Sequence, residues 1–274
     1  MADCNHQCEG CEVSDCGERE FKKLEPHAGT HIKKIYAIIS GKGGVGKSLV
    51  TSLLASTVSK RGKKVAIIDA DVTGPSIPQA FGVSNVVPYT DETTIYPVES
   101  NGGIKIMSAN LLLQDNEAPI IWRGPLVAGF VQQLFTDVAY DDIDYMFIDM
   151  PPGTSDIPLT VFQLLPIDGV IVVSSPQELV SMVVAKSINM AKMMNIKVLG
   201  VAMNMAYIKC PNCDEKITVF GNGKYKEEVA KHGLDVLFEL PIDPKLASLV
   251  DQGKIEEYTT NELDKIIDII FKDN

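Results

Sequence analysis

The chain has 274 residues, of which 45% are hydrophobic and 22% are charged, which excludes a disordered or collagen-like protein. Its formal net charge of −11 disfavours broad binding to nucleic acid or to an anionic membrane surface. Because no apolar run reaches the length of a spanning helix and the N-terminus does not resemble a signal peptide, we expect a cytoplasmic protein.

The first predicted region, residues 1–31, is a polar, cysteine-rich segment that we expect to lie apart from a single domain at residues 32–274. Its cysteines are Cys4, Cys8, Cys11 and Cys16. In a cytosolic protein such cysteines indicate metal binding or redox chemistry rather than disulfides. An iron–sulfur cluster, a zinc site that includes His6, and a redox-active tail are the three interpretations of this segment.

The domain that follows shows short apolar runs alternating with helical patterns. Strands are predicted at 34–40, 64–69, 144–149, 169–175 and 197–204, and helices at 47–60, 124–136, 156–164 and 178–194. Strands that are buried on both faces and alternate with helices predict an α/β domain with a doubly wound, mostly parallel sheet. Ligands of such sheets bind at the carboxyl ends of the strands, where the polar motifs of this chain fall.

A glycine-rich loop between the first predicted strand and helix fits the pattern G-x-x-x-x-G-K-[ST]. It consists of Gly41, Lys42, Gly43, Gly44, Val45, Gly46, Lys47 and Ser48. The glycines let backbone N–H groups point at phosphate oxygens, and the helix N-terminus adds its positive end. Lys47 is predicted to contact the β and γ phosphates, and the Ser48 hydroxyl to bind Mg²⁺. The sequence therefore predicts a P-loop that binds ATP.

Aspartates follow the next two predicted strands. Asp69 and Asp71 close the second strand, and Asp149 closes the third, just before Pro151 and Pro152. An aspartate beside a phosphate loop can hold Mg²⁺ or orient the attacking water. The alternative is that these residues only cap turns or helices, as aspartates at strand ends commonly do.

A separate C-x-x-C pair, Cys210 and Cys213, follows the fifth predicted strand in an expected loop. Such a pair is typical of a redox site, half of a zinc site or half of an iron–sulfur cluster site. A [4Fe–4S] cluster generally takes four cysteines. Two copies of the pair would supply four if a twofold axis of a homodimer brought them together.

The motifs taken together resemble those of the Mrp/ApbC iron–sulfur cluster carrier ATPases, which are P-loop NTPases of the SIMIBI class. The matching stretches are GKGGVGKS (41–48), DADVTGPSIP (69–78), WRGP (122–125), DMPPGTSD (149–156), MNM (203–205) and CPNC (210–213). The resemblance implies slow ATP hydrolysis, a homodimer that shares a bridging [4Fe–4S] cluster, and transfer of that cluster to recipient apoproteins.

The resemblance also assigns roles to individual residues. It implies that Lys42 reaches the nucleotide of the other subunit, that Asp71 orients water, and that Asp149 holds a magnesium-bound water. It further implies that Asn204 and Pro241 contact the adenine.

Two positions depart from the family's pattern. Leu49 stands where many relatives carry a Ser or Thr that touches the α-phosphate. Eukaryotic members carry an N-terminal four-cysteine cluster site with longer first and last gaps. Cys8 and Cys11 are close to the central pair of that site, and four cysteines suffice for one cluster. The resemblance therefore favours a cluster, rather than zinc, at the four N-terminal cysteines, although Cys4 and Cys16 depart in spacing.

Three other functions fit the sequence less well than the carrier does. A positioning ATPase similar to MinD or ParA requires a membrane helix or a basic surface, whereas residues 261–274 combine an apolar face with a polar face as acidic as it is basic. That pattern predicts a helix that packs on the core. A nickel-inserting metallochaperone ATPase, or a reductase similar to the nitrogenase iron protein, arranges its metal cysteines differently. A disulfide oxidoreductase does not need a P-loop, so that function does not explain residues 41–48.

Overall fold

The computed structural model describes residues 22–71, 74, 76–91, 93–112, 124–153, 156–177, 182–220 and 225–272, with the backbone alone at 124–127, 156 and 182–184. Several predicted features lie outside the described residues. They are Cys4, Cys8, Cys11 and Cys16, together with His6, Trp122 and Arg123. The predictions made for them stay predictions.

The described chain alternates strands with helices along most of its length. The strands are β1 (His31–Ser40), β2 (Val65–Asp69), β3 (Val98–Glu99), β4 (Lys105–Ser108), β5 (Asp142–Asp149), β6 (Gly169–Ser174), β7 (Val198–Lys209), β8 (Lys216–Ile217) and β9 (Val236–Pro241). The helices are α1 (Lys47–Lys60), α2 (Ile77–Ala80), α3 (Ala109–Leu112), α4 (Gly124–Thr136), α5 (Asp156–Leu164), α6 (Met182–Met193), α7 (Tyr225–Lys231), α8 (Pro244–Asp251) and α9 (Asp264–Lys272), with a 3₁₀ turn at Ile255–Glu257.

The strands form one sheet in the order β3-β4-β2-β5-β1-β6-β7-β8, and β9 pairs with β7. Its central pairs are all parallel, and only β3–β4 and β7–β8 are antiparallel among the described pairs. This confirms the predicted doubly wound, mostly parallel sheet. It also brings the carboxyl ends of β1, β2 and β5 together, because these strands are neighbours.

Each face of the sheet carries its own hydrophobic core. Tyr36 and Ile38 of β1 pack in the core that includes α1, α8 and α9. The alternate residues Ile35, Ala37 and Ile39 pack in the opposite core, with α4, α5 and α6. Side chains alternate between the two faces of a strand, so a strand covered on both faces reads as a continuous apolar run.

The C-terminal helix α9 packs on the first of these cores. Ile266, Ile267 and Ile270 of this helix are buried there. The apolar face predicted for residues 261–274 therefore covers the sheet. Among the described helices we find none with the length and apolarity that crossing a bilayer requires.

The strand ends differ most from the predicted ones in β1 and β7. β1 begins at His31, because the alternating residues before the apolar run already pair with β5. β7 continues to Lys209, well past its predicted end, because its last residues pair with β8. In addition, Lys23 and Leu24, which were assigned to the N-terminal segment, hydrogen-bond to the carbonyls of Phe162 and Leu164 in α5.

Candidate functional site

A cleft of about 300 Å³ opens at the carboxyl ends of β1 and β2. The glycine-rich loop and the residues after β2 and β5 line it. The lining residues are Ser40, Lys42, Gly43, Gly44, Gly46, Lys47, Ser48, Leu49, Asp71, Gly74, Ser76, Ala80, Pro152 and Val250. The sequence-predicted P-loop and the first acidic motif therefore meet in one cavity.

The loop reaches the start of α1 through backbone conformations that favour glycine. Gly44 and Gly46 have φ angles of +85° and +79°. Gly46 is the N-cap of α1, and its carbonyl accepts the first helical hydrogen bond from the N–H of Val50 at 3.0 Å. The N-terminus of α1 thus faces the cleft, and its free N–H groups and positive dipole end suit phosphate oxygens.

Lys47 lies at the base of the cleft among carboxylates. Its side chain is only 6% exposed, and its Nζ lies 2.8 Å from Asp149 Oδ2 and 3.5 Å from Asp71 Oδ2. Burial alone lowers the pKa of Lys47, but the Asp149 and Asp71 carboxylates outweigh burial and raise it. The ammonium therefore stays charged in the cleft, as a phosphate ligand requires.

Asp69 is fully buried behind Lys47. It is the register partner of Asp149 across the β2–β5 pair, so the two carboxylates lie side by side. Burial raises the pKa of Asp69 well above its ordinary value, and the neighbouring Asp149 carboxylate adds to the rise. Ser108 Oγ and the N–H of Asp71 donate to its two oxygens, each at 3.2 Å.

The donor set of the cleft fits a magnesium ion that is shared with a nucleotide. The carboxylates of Asp71 and Asp149 lie within 3.5 Å of the Lys47 ammonium, and Ser48 Oγ lies 2.5 Å from Asp149 Oδ2. Magnesium in nucleotide sites uses few protein oxygens, because phosphates and water supply the rest. Within the described residues, no group of three or more His, Cys, Asp or Glu side chains could hold a metal ion by itself.

Thr51 is a buried residue of this site that sequence reasoning missed. Its Oγ1 lies 2.7 Å from Asp149 Oδ1 and 3.0 Å from the carbonyl of Lys47. Its position gives the missing signal, because a residue four places after Lys47 lies on the same face of α1. Thr51 holds the Asp149 oxygen that Lys47 and Ser48 do not contact.

Among the described residues that line the cleft, neither Asn204 nor Pro241 is found. Asn204 is 3% exposed, and its Nδ2 donates to the carbonyl of Val45 at 2.9 Å. A Cβ on Gly46 would lie 2.2 Å from the same nitrogen. Asn204 therefore packs against the P-loop backbone, while Pro241 ends β9 in register with Tyr207.

Lys42 occupies an exposed position in the loop. Its carbonyl accepts a hydrogen bond from Ser40 Oγ at 3.0 Å, which ties the start of the loop to the end of β1. Leu49, whose residue type departs from the family's pattern, lines the cleft together with Val250 and Ala80. This gives one wall of the cleft an apolar surface.

The cysteine pair lies in the loop at the tip of a β-hairpin, after β7, where the sequence predicts a loop. β7 and β8 pair at Ile208–Ile217 and Lys209–Lys216. The Cys210 N–H then donates to the Glu215 carbonyl at 2.9 Å, and the Asp214 N–H donates to the Cys210 carbonyl at 3.0 Å. Cys210 is half-buried, Cys213 is exposed, and neither is in a disulfide.

The hairpin turn prepares Cys210 to act as a thiolate. The backbone N–H of Asn212 lowers the pKa of the Cys210 thiol below its ordinary value, and the thiol and N–H of Cys213 lower it further. Thiolates, not thiols, bind metals. The hairpin therefore presents a pair of sulfur ligands, one of which ionises more readily than an ordinary thiol.

Apolar side chains flank the cysteine pair. Three of them are 36–49% exposed: Ile208 of β7, Ile217 of β8, and Val219 just after β8. The pair is therefore bordered by apolar side chains that solvent can reach.

Residues 31–273 match the ParA-type family described as NUBPL iron-transfer P-loop NTPase. The chain belongs to this family. Curated relatives agree with the match. The chain is 45% identical over 250 residues to the "iron-sulfur cluster carrier protein" of Clostridium perfringens, which covers 89% of this chain and 87% of the relative. It is 37% identical over 254 residues to the "cytosolic Fe-S cluster assembly factor CFD1" of Saccharomyces cerevisiae, covering 88% of this chain and 87% of that one.

Two solved structures share the fold of this NUBPL-type NTPase. A nucleotide-binding protein from Archaeoglobus fulgidus, in complex with ADP, superposes with a TM-score of 0.76 at 44% identity, covering 85% of this chain and 91% of that one. The MinD protein of Aquifex aeolicus, in its complex with MinC, gives a TM-score of 0.61 at 19% identity, covering 87% and 94%. The second likeness shows the fold alone. The predicted family and fold are both confirmed.

Proposed function

We propose that this NTPase binds and hydrolyses ATP and carries an iron–sulfur cluster, which it transfers to recipient apoproteins. The observation that carries the proposal is the hairpin of Cys210 and Cys213, whose free thiols lie at the end of a strand that contacts the P-loop. The names of the relatives, which are carriers and an assembly factor for iron–sulfur clusters, support the same function.

For the nucleotide, we assign the phosphates to the residues 41–48 and Mg²⁺ to Ser48, with Asp71 and Asp149 nearby. The short contacts among Lys47, Ser48 and Asp149 support this assignment. Bound Mg²⁺ would neutralise charge that develops on the phosphate oxygens. Asp71 borders the cleft and is assigned to orient the attacking water.

For the adenine, we assign Asn204 and Pro241, which lie on the adjacent strands β7 and β9. An amide has two N–H donors and one acceptor oxygen, so Asn204 can keep its contact with Val45 and still offer a base edge a donor and an acceptor. For the cross-subunit contact, we assign Lys42, whose exposed position in the loop supports a contact with a second chain.

For the cluster, we propose a homodimer in which Cys210 and Cys213 of each chain hold one [4Fe–4S] cluster. Two thiolates fill half of the four positions that such a cluster generally takes. The exposure of Cys213 and of the flanking Ile208 and Ile217 supports an interface at this hairpin. A cluster held at such a surface is accessible to a recipient.

For the N-terminal cysteines, we propose a second cluster within each chain, held by Cys4, Cys8, Cys11 and Cys16. The number of cysteines supports one complete site.

Anaerobic reconstitution with iron and sulfide, followed by iron counting, tests the proposal. The full chain is expected to load roughly six irons, four in the N-terminal segment and two as its half of the shared cluster. Replacing Cys210 and Cys213 with Ala should remove the shared portion alone. The matched control replaces Cys8 and Cys11 with Ala and should leave it in place. The loaded protein should also activate an apo-[4Fe–4S] dehydratase.

Zinc in both sites of the natively purified protein, together with failed reconstitution, would exclude the carrier function. ATP hydrolysis that survives Lys47→Ala would separately exclude the P-loop assignment.

A further inference from the structure

One side of the nucleotide cleft is an apolar wall that three separate helices supply. Leu49 of α1, Ala80 of α2 and Val250 of α8 form this wall. Ala80 belongs to the hydrophobic core on that face of the sheet, and the other two residues pack against the same core. The wall is therefore the edge of a core that opens into the cleft.

Contacts between α2 and α8 hold their part of the apolar wall in place. Gln79 Nε2 donates to the carbonyl of Asp251 at 3.1 Å. The turns that follow the two helices touch through Gly82 and Gly253, which lie so close that neither has room for a Cβ. Because these contacts flank the wall residues of both helices, the wall is a fixed surface of the folded chain.

Leu49 brings the apolar wall next to both ends of the proposed nucleotide site. It follows Ser48 directly in the first turn of α1. A Cβ on Gly46 would strike Asn204 Nδ2 and would lie 3.9 Å from the Cβ of Leu49. With the proposed placement of the phosphates on residues 41–48 and of the adenine at Asn204, the sugar that joins them lies beside Leu49.

Few polar side chains of the cleft stand near this wall. Of the described residues that line the cleft, six have polar side chains: Ser40, Lys42, Lys47, Ser48, Asp71 and Ser76. The first five lie in the P-loop or at the ends of β1 and β2, where the phosphates and Mg²⁺ are assigned. Ser76 is the remaining one, and as the N-cap of α2 it lies one turn before Ala80.

We infer that the sugar of the nucleotide packs against the apolar wall, so that this NTPase accepts ribonucleotides and 2′-deoxyribonucleotides alike. The inference rests on the proposed function for the nucleotide, and it names the sugar class of the substrate. Apolar side chains offer no hydrogen bond, so a sugar hydroxyl beside them keeps its partners by facing water. Loss of the 2′-hydroxyl then costs little, whereas a site that hydrogen-bonds a hydroxyl rejects the analogue that lacks it by orders of magnitude.

Calorimetric titration of the full chain with three probes tests the inference. The probes are ADP, 2′-deoxy-ADP and inorganic pyrophosphate, each with Mg²⁺. The dissociation constants of ADP and 2′-deoxy-ADP should agree within about threefold, because no hydrogen bond to the 2′-hydroxyl is lost. Ser76→Ala should leave their ratio unchanged. Pyrophosphate has no sugar, so its affinity measures the P-loop alone.

Val250→Ala shortens the apolar wall and locates the sugar. It should weaken the binding of ADP and of 2′-deoxy-ADP by about three- to tenfold, because part of the buried apolar contact is lost. Pyrophosphate binding should stay within about twofold, which also shows that the variant is folded. Val87→Ala is the matched control, since Val87 is 80% exposed and does not line the cleft. It should change the affinity for none of the three probes.

ADP that binds more than about threefold tighter than 2′-deoxy-ADP would overturn the inference, and loss of that preference in Ser76→Ala would assign the sugar hydroxyl to Ser76. Unchanged ADP binding in Val250→Ala, or a loss shared equally by pyrophosphate, would overturn it as well. In each of these cases the P-loop assignment stands and the apolar wall does not hold the sugar. A protein that binds none of the three probes would overturn the nucleotide assignment and the inference together.

Discussion

The nucleotide cleft and the cysteine hairpin present their reactive groups in opposite ways. In the cleft, Lys47 and Asp149 are buried and satisfy each other at 2.8 Å within one chain. On the hairpin, Cys213 is exposed and Cys210 half-buried, and the pair supplies half of the ligands that a cluster needs. The first site is complete within one folded chain, whereas under the proposed function the second takes its remaining ligands from another molecule. The following predictions test this contrast.

The largest effect is expected from Lys47→Ala. The change leaves Asp149 and Asp71 without their shared cation, and breaking a buried pair costs roughly 3–5 kcal/mol. ATP hydrolysis should fall at least about 100-fold, which corresponds to ~2.7 kcal/mol. Lys42→Ala, in the exposed part of the same loop, should change the free energy of unfolding by less than about 0.5 kcal/mol. Urea unfolding and an ATPase assay check both, and equal destabilisation by the two changes would contradict the buried network.

The next effect concerns Gly46→Ala, for which Gly62→Ala is a matched control. Both glycines have a φ angle of +79°, but a Cβ on Gly62 meets no atom within 4 Å, whereas one on Gly46 would strike Asn204. Each variant should lose about 1–2 kcal/mol from left-handed alanine. Only Gly46→Ala should also weaken ADP binding, by at least about tenfold or ~1.4 kcal/mol. Calorimetric titration with ADP decides, and unchanged affinity in Gly46→Ala would show that the contact with Asn204 does not shape the loop.

Thr51→Val tests the contact between Thr51 and Asp149. It removes the hydroxyl donor to Asp149 Oδ1, and a buried acceptor left unpaired costs about 1–3 kcal/mol. We expect kcat for ATP hydrolysis to fall about tenfold through the misplaced carboxylate, with little change in KM. Thr51→Ser keeps the hydroxyl and should restore kcat. A serine variant as impaired as the valine variant would assign the loss to packing instead.

The smallest effect is expected from Asp69→Asn and concerns pH. The raised pKa of Asp69 means that folding favours its neutral form, so its contribution to stability is present below its ordinary pKa and is lost as pH rises through the raised value. The neutral amide avoids that loss. At pH 8 the nucleotide-free variant should melt about 2–4 °C higher than the unmodified protein, and the gap should close near pH 4. A gap of equal size at both pH values would contradict the neutral form of Asp69.

Much of the fold could be predicted from the sequence because strands buried on both faces read as apolar runs. The run at residues 34–40 and the loop after it define β1, the P-loop and the start of α1 without any tertiary information. The short strands β3 and β8 could not be predicted, because two-residue strands carry no periodicity and exist only through pairing. The C-terminal helix was predictable from its apolar face.

The site was predictable where a motif fixes the backbone, as at residues 41–48. It was less so where contacts arise between distant segments. Thr51 gave no signal apart from its spacing to Lys47, and the packing of Asn204 on Gly46 depends on how β7 passes the loop. The loop at Cys210 was predictable, but the hairpin that carries it was not, because pairing with β8 cannot be read from residues 214–217 alone.

Native mass spectrometry of the reconstituted protein tests the contrast between the two regions most directly. A variant with Ala in place of Cys4, Cys8, Cys11 and Cys16 leaves only the hairpin pair to bind a cluster. Across a dilution series, we expect ADP to add mass to monomer and dimer alike, and the mass of one [4Fe–4S] cluster to be found on the dimer alone. A cluster on the monomer, or a dimer that carries one cluster per chain, would contradict the account.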